Sequence, residues 1–219
     1  VSGATTTPAD AVAATKRAAE MALALEPGWE SMPGARAAET SKTAACAGAS
    51  LKSLALGGVR LGMSVEEVLA SLPGSERDAT ALHMLARSKD APNSHGYSHA
   101  FVDASYSRDP RLSGVEKYWV KFLDGRLYAV MVIYRGAHWP GVDSFVGGMS
   151  GALGLPPAEQ WERGGGGSDL RYLICDDVEL RFYAAPGTNP NTDSILLADR
   201  KAERTLAERK TKAKEAATR

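Results

Sequence analysis

Residues Gly62-Met63-Ser64-Val65-Glu66-Glu67-Val68-Leu69-Ala70-Ser71-Leu72-Pro73-Gly74 specify a helix of barely two turns, marked at both ends. Ser64 is an N-cap, and Glu67 three positions on completes a capping box by reaching back to the cap amide. Met63 and Val68 occupy the two positions of a hydrophobic staple. Glu66 and Glu67 put negative charge in the first turn, where the helix dipole favours it. Val65, Val68, Leu69 and Leu72 recur at i, i+3, i+4 and i+7 and make one apolar stripe. Pro73-Gly74 stops the helix. So short a helix is unstable alone, so this density of signals predicts one docked on a sheet at a fixed angle.

The sheet is legible downstream. Tyr118–Leu123 and Leu127–Tyr134 flank Asp124-Gly125-Arg126, and Asp-Gly between β-rich runs predicts a type I′ hairpin. With Asp124 and Gly125 as the loop, Leu123 pairs with Arg126. That register puts Tyr118, Val120 and Phe122 on one face opposite Met131, Ala129 and Leu127, the seat expected for the helix stripe. The other face carries Lys117, Trp119 and Lys121 opposite Val132, Val130 and Tyr128. Ala100–Tyr106, with Val102, Ala104 and Tyr106 alternating, reads as a third strand. Residues 75–99 give no clear signal.

A looser copy follows. Val142–Val146 repeats the pattern of Val65–Leu69 and its helix ends on Gly154-Leu155-Pro156. Strand-like runs come next at Leu170–Ile174, Val178–Tyr183 and Ser194–Ala198, after a Gly164–Gly167 loop. The fold class expected is α+β, with two helix-plus-antiparallel-sheet units in tandem over 51–136 and 137–198. They lie between an Ala-rich helical arm (1–50, helical from Pro8 to about Leu25) and a charged C-terminal helix or tail (199–219). Leu206 is the only large apolar residue of that last segment.

Lysine plus arginine equals aspartate plus glutamate at 26 each in 219 residues, so the net field gives no reason to expect nucleic acid. Residues 199–219 nonetheless hold eight basic and four acidic side chains, an excess of four positives. No apolar run approaches the roughly 18–20 residues a membrane-spanning helix needs. Ala44-Ala45-Cys46 has the look of a lipoprotein processing site without the apolar stretch that precedes one. Two readings of Cys46 and Cys175 stand side by side. Either they form a disulfide closing a very long loop, contributing about 4–5 kcal/mol, or they are free thiols with one buried in a strand.

Leu61-Gly62-Met63-Ser64-Val65-Glu66-Glu67-Val68, followed by strands and a tight hairpin, resembles the entry helix of the SmpA/OmlA (BamE-like) outer-membrane assembly lipoproteins. It is also similar to the β-lactamase inhibitor proteins, which carry such a unit in tandem. The resemblance implies an extracytoplasmic, periplasmic module that works by protein–protein contact. The expected function is a non-enzymatic exported binding or scaffold protein, an accessory subunit of an envelope or membrane-associated assembly. Its partner would be another protein, with any membrane attachment made through that partner. The competing class is a small-molecule-binding domain or enzyme that uses the sheet concavity.

No catalytic, cofactor-binding or metal-ligating set emerges. His95 and His99 have the i, i+4 spacing of metal ligands, but Pro92-Asn93-Ser94 and Gly96 place them in a loop. Asp176-Asp177 would raise rather than lower the pKa of a Cys175 thiol, and reads as a polar turn between strands. Ser64 is accounted for by its cap, and Gly147-Gly148 and Gly164–Gly167 lack the setting of a phosphate loop. The second hairpin face is more informative. Trp119, Tyr128 and Tyr134, flanked by Lys117 and Lys121, form an aromatic and partly cationic candidate partner surface, with Lys121, opposite Tyr128, placed for a cation–π contact with that ring. Against this stands ordinary core, in which the second unit or the N-terminal arm covers the face.

Overall fold

The computed structural model describes residues 46, 51–72, 74–75, 79, 82–83, 86, 95–104, 114–134, 139–164, 169–184 and 193–218. The expected N-terminal helix and Tyr106 lie outside the described residues, as does most of the 75–94 stretch. The elements run Val65–Ser71 (α1), Tyr97–Asp103 (β1), Val115–Leu123 (β2), Arg126–Tyr134 (β3), Val142–Leu153 (α2), Glu162–Arg163 (β4), Leu170–Cys175 (β5), Val178–Tyr183 (β6), Ser194–Asp199 (β7) and Arg200–Ala217 (α3). All seven strands join one antiparallel sheet in the order β1-β2-β3-β7-β6-β5-β4. The architecture is therefore mixed helix and sheet. Its short, charged edge strand β4 offers little to a foreign strand.

Local signals produce the local structures. The Glu67 carboxylate accepts from the Ser64 amide at 2.7 Å, and the Ser64 hydroxyl accepts from the Glu67 amide at 3.3 Å, closing the capping box at the start of α1. Asp124 and Gly125 sit at φ 50° and 73°, the double positive φ of a type I′ turn, and Leu123 pairs with Arg126. The helix α2 ends on Gly154 in the left-handed region at φ 64°, where glycine is the natural stop.

α1 and α2 pack on the same side of the sheet. Val65, Val68 and Leu72 from α1 and Val142, Phe145 and Val146 from α2 join Tyr118, Val120, Phe122, Leu180, Phe182, Ile195 and Leu197 in one contiguous core. What pins α1 is backbone. The Gly62 amide donates to the Leu127 carbonyl (2.7 Å) and the Leu127 amide donates to the Met63 carbonyl (2.8 Å). These bonds occupy β3 where its pairing with β7, which starts at Ala129, has not yet begun.

The hairpin register differs from expectation after its first pairs. Phe122 faces Leu127, but Lys121 faces Ala129, leaving Tyr128 as the extra residue of a β-bulge. A bulge inserts one residue and so reverses the facing of everything beyond it. Val130 and Val132 consequently lie in the core against Val120 and Tyr118, while Ala129 and Met131 turn to the other face. β1 likewise starts earlier than its apolar alternation suggested. It takes in His99, which is strand rather than loop, and directs Ala100, Val102 and Ala104 into the core.

Cys46 and Cys175 form a disulfide, with Cα atoms 5.6 Å apart and 129 positions between them in sequence. It ties the chain ahead of α1 to the end of β5. Among the described residues no helix is long and apolar enough to cross a membrane.

Candidate functional site

The face of the sheet opposite α1 and α2 carries the candidate site. Register alone assembles it: Phe101 on β1 faces Trp119 on β2, and His99 faces Lys121. The Phe101 and Trp119 rings stack with centroids 5.2 Å apart and planes 13° from parallel. His99 meets both edge-on, at 6.3 and 6.4 Å. Tyr97 continues the row toward His99 (5.5 Å) and Tyr128 (6.5 Å). The Lys121 ammonium lies 4.0 Å from the Trp119 ring centroid, close enough for a cation–π attraction that desolvation strengthens.

Part of this face is covered by α3. Asp199 caps the helix by accepting from the Ala202 amide (3.1 Å). The Asp177 carbonyl accepts from the Arg200 amide and its carboxylate from Arg204 (2.7 Å), which moors the first turns to the β5–β6 turn. Further along, Arg209 grips both carboxylate oxygens of Asp124 at 2.8 and 2.7 Å and also donates to the His95 carbonyl. Gly96, at φ 76°, makes this possible, because a Cβ there would collide with both Asp124 and Arg209. Leu206 is the apolar contact between the two moorings and is buried. Lys210 reaches the Tyr97 ring at 5.7 Å.

Charge is concentrated beneath α3. Glu179 is buried and takes a bidentate contact from Arg181 at 2.6 and 2.9 Å, with Arg200 at 3.9 Å. Burial pushes the Glu203 carboxyl above the ordinary glutamate range, against the pull of Arg181, Lys121 and Arg200. At the two moorings the hydrogen bonds from Arg209 and Arg204 hold Asp124 and Asp177 below the usual carboxylate range. Burial, together with a hydrogen bond to Glu162, moves the Tyr172 hydroxyl up to about 12.

The candidate surface residues are divided by this geometry. Lys117 is exposed, beside Glu116 at 3.5 Å. Trp119, Lys121 and Tyr128 are together on the expected face but buried, at 8, 3 and 5% exposure. Tyr134 is not with them. The bulge turns it to the helix side, where its ring packs edge-on against Phe145 and burial raises its hydroxyl to about 12. The residues sequence reading missed are Tyr97, His99 and Phe101. The proline and glycine upstream make Tyr97 and His99 read as unassigned or loop, and Phe101 falls in the expected third strand with nothing in its alternation to mark it as part of a site. Among the described residues no group of three or more histidines, cysteines or carboxylates is placed to hold a metal ion. At the surface the arrangement presents partly exposed Tyr97, His99 and Phe101, groups suited to stacking, with Trp119 and Lys121 buried behind them.

No family model, no curated protein and no solved structure matches this chain.

Proposed function

We propose that this protein is a non-enzymatic, exported binding or scaffold module, an accessory subunit of an envelope or membrane-associated assembly. In this reading α1 with β1–β3 and α2 with β5–β7 are two tandem units whose last strands, β3 and β7, pair to make one sheet. The partner meets the sheet face opposite the helices, at the rim formed by Tyr97, His99, Phe101 and Lys117. Trp119 and Lys121 lie beneath that rim as its rigid backing. The observation that carries the reading is the partly exposed Phe101 ring stacked on the buried Trp119, with His99 edge-on to both, on the sheet face opposite α1 and α2 that α3 covers only in part. Aromatic side chains are over-represented among the residues that dominate binding energy at protein interfaces. The Cys46–Cys175 disulfide supports an oxidising, extracytoplasmic location.

Pull-down of the full chain from its native envelope fraction tests this, comparing wild type with His99→Glu and Phe101→Glu, both at partly exposed positions. A stoichiometric partner recovered by wild type and lost from both variants is the expected result. Equal recovery by all three proteins, or no partner at all, would overturn the proposal.

A further inference from the structure

The glycines of α2 divide into two kinds. A Cβ on Gly148 would fall 2.5 and 2.6 Å from the Trp139 ring, so packing explains that residue. Among the described residues, a Cβ on Gly147 or Gly151 would meet nothing within 4 Å. Glycine inside a helix is costly relative to alanine, and at these two positions packing among the described residues gains nothing in return. One turn apart, they instead form the floor of a groove of about 720 Å³. That volume lies within the range of small-molecule sites.

The walls define its chemistry. Leu155, Pro157 and Ala158 supply an apolar side. Ser150 also lines the groove, is 4% exposed, and its hydroxyl has no hydrogen-bond partner among the described residues. A buried polar group left unsatisfied is costly, and rotation about χ1 would offer this one to a bound molecule. At the charged end two guanidiniums share one carboxylate. Arg171, buried on β5, donates through Nε to Asp143 and through Nη1 to the Trp161 carbonyl (3.4 Å). Arg163 reaches Asp143 from a largely exposed position at 3.3 Å. An exposed ion pair is held weakly, so Arg163 is free to turn to a second anion while Arg171 keeps Asp143. Glu159 on the rim opposes a doubly charged one.

We propose that this groove binds a singly charged carboxylate with a linear apolar body. Its carboxylate is met by Arg163 and the Ser150 hydroxyl, and its chain lies on the bare Gly147–Gly151 backbone against Leu155, Pro157 and Ala158. The groove belongs to the helix-covered side of the sheet, so the proposal is independent of the aromatic face.

The test is a nitrogen-15 NMR titration of the full chain with decanoate below its micelle concentration. Decanol and inorganic phosphate serve as comparison probes. The expected result is saturable shifts at the amides of Gly147, Ser150, Gly151 and Ala158. Binding should weaken about tenfold in Arg163→Gln, the loss of one charge-assisted hydrogen bond at a partly exposed site. It should vanish in Gly151→Leu, whose side chain fills the groove. Should that variant fail to fold, the pair Gly147→Ala/Gly151→Ala asks the same question with smaller side chains. The proposal is overturned by shifts that do not saturate, by binding unaffected in the filled variants, or by phosphate or decanol competing as well as decanoate does.

Discussion

Replacing neighbouring glycines of α2 by alanine should move stability in opposite directions. Gly147→Ala adds a methyl group where no described residue lies within 4 Å and relieves the helix of a residue that costs about 1 kcal/mol relative to alanine. Gly148→Ala brings the same gain in propensity, but its Cβ would sit 2.5 Å from Trp139. That ring is stacked on Phe145 at 5.4 Å and 24°, and Phe145 is fully buried in the core. Trp139 therefore has to give way and disturb Phe145, or α2 must lift. Overpacking of this kind costs about 1–3 kcal/mol. The net expectation is stabilisation by about 1 kcal/mol for Gly147→Ala, and destabilisation by up to about 2 kcal/mol for Gly148→Ala. In urea unfolding, with a slope near 2 kcal/mol/M, the first appears as a midpoint raised by roughly 0.5 M and the second as a midpoint lowered by as much as roughly 1 M. Gly151→Ala should follow Gly147→Ala. Equal stabilisation by Gly147→Ala and Gly148→Ala would refute the argument, because it would mean that Trp139 does not rest on the helix. Destabilisation by Gly147→Ala would refute it from the other side, since the space above that residue would then be filled.

Three further outcomes follow from the same geometry. Ser64→Ala should cost about 1 kcal/mol, and hydrogen exchange should show the loss concentrated in the α1 amides and in the Gly62–Leu127 bonds they anchor. Leu206→Ala removes the apolar contact of α3 and should cost about 2 kcal/mol, the low end for a buried leucine. The expected sign is lost exchange protection through α3 with β1–β3 unchanged, and global unfolding at the same midpoint for all elements would contradict it. The third concerns acid. Asp143 has its pKa held below 3.8 by the hydrogen bond from Arg171 and the nearby Arg163 charge, so the unfolded chain binds the proton more readily than the folded one. The stability this pair contributes is present above the ordinary carboxylate range and is lost as pH falls through the depressed folded value. Asp143→Asn should flatten the acid limb of the stability curve, and an unchanged limb would show that the pair carries no such linkage.

What consecutive residues encode was readable from them. The capping box of α1, its apolar stripe, the Asp124-Gly125 turn and the glycine stop of α2 each depend on a few neighbours in sequence, so their free energies are local. The boundaries of β5, β6 and β7 were also close, because alternation or an apolar run between turn residues has few other interpretations. The resemblance noted at the entry helix pointed to a function and left the site unplaced. Tertiary structure alone decided the rest. Leu127 bonds to Gly62 and Met63, and β3 accommodates one extra residue at Tyr128. That single insertion sends Val130, Val132 and Tyr134 to the helix side, while the β1–β2 register pairs Trp119 with Phe101. No nearby residue announces it, because the bulge belongs to a pairing between strands. The junction of β3 with β7, the union of Cys46 with Cys175 and the grip of Arg209 on Asp124 likewise join segments far apart in the chain. Each depends on which long-range arrangement buries most apolar surface while satisfying its polar groups, a comparison among whole folds that no short stretch contains.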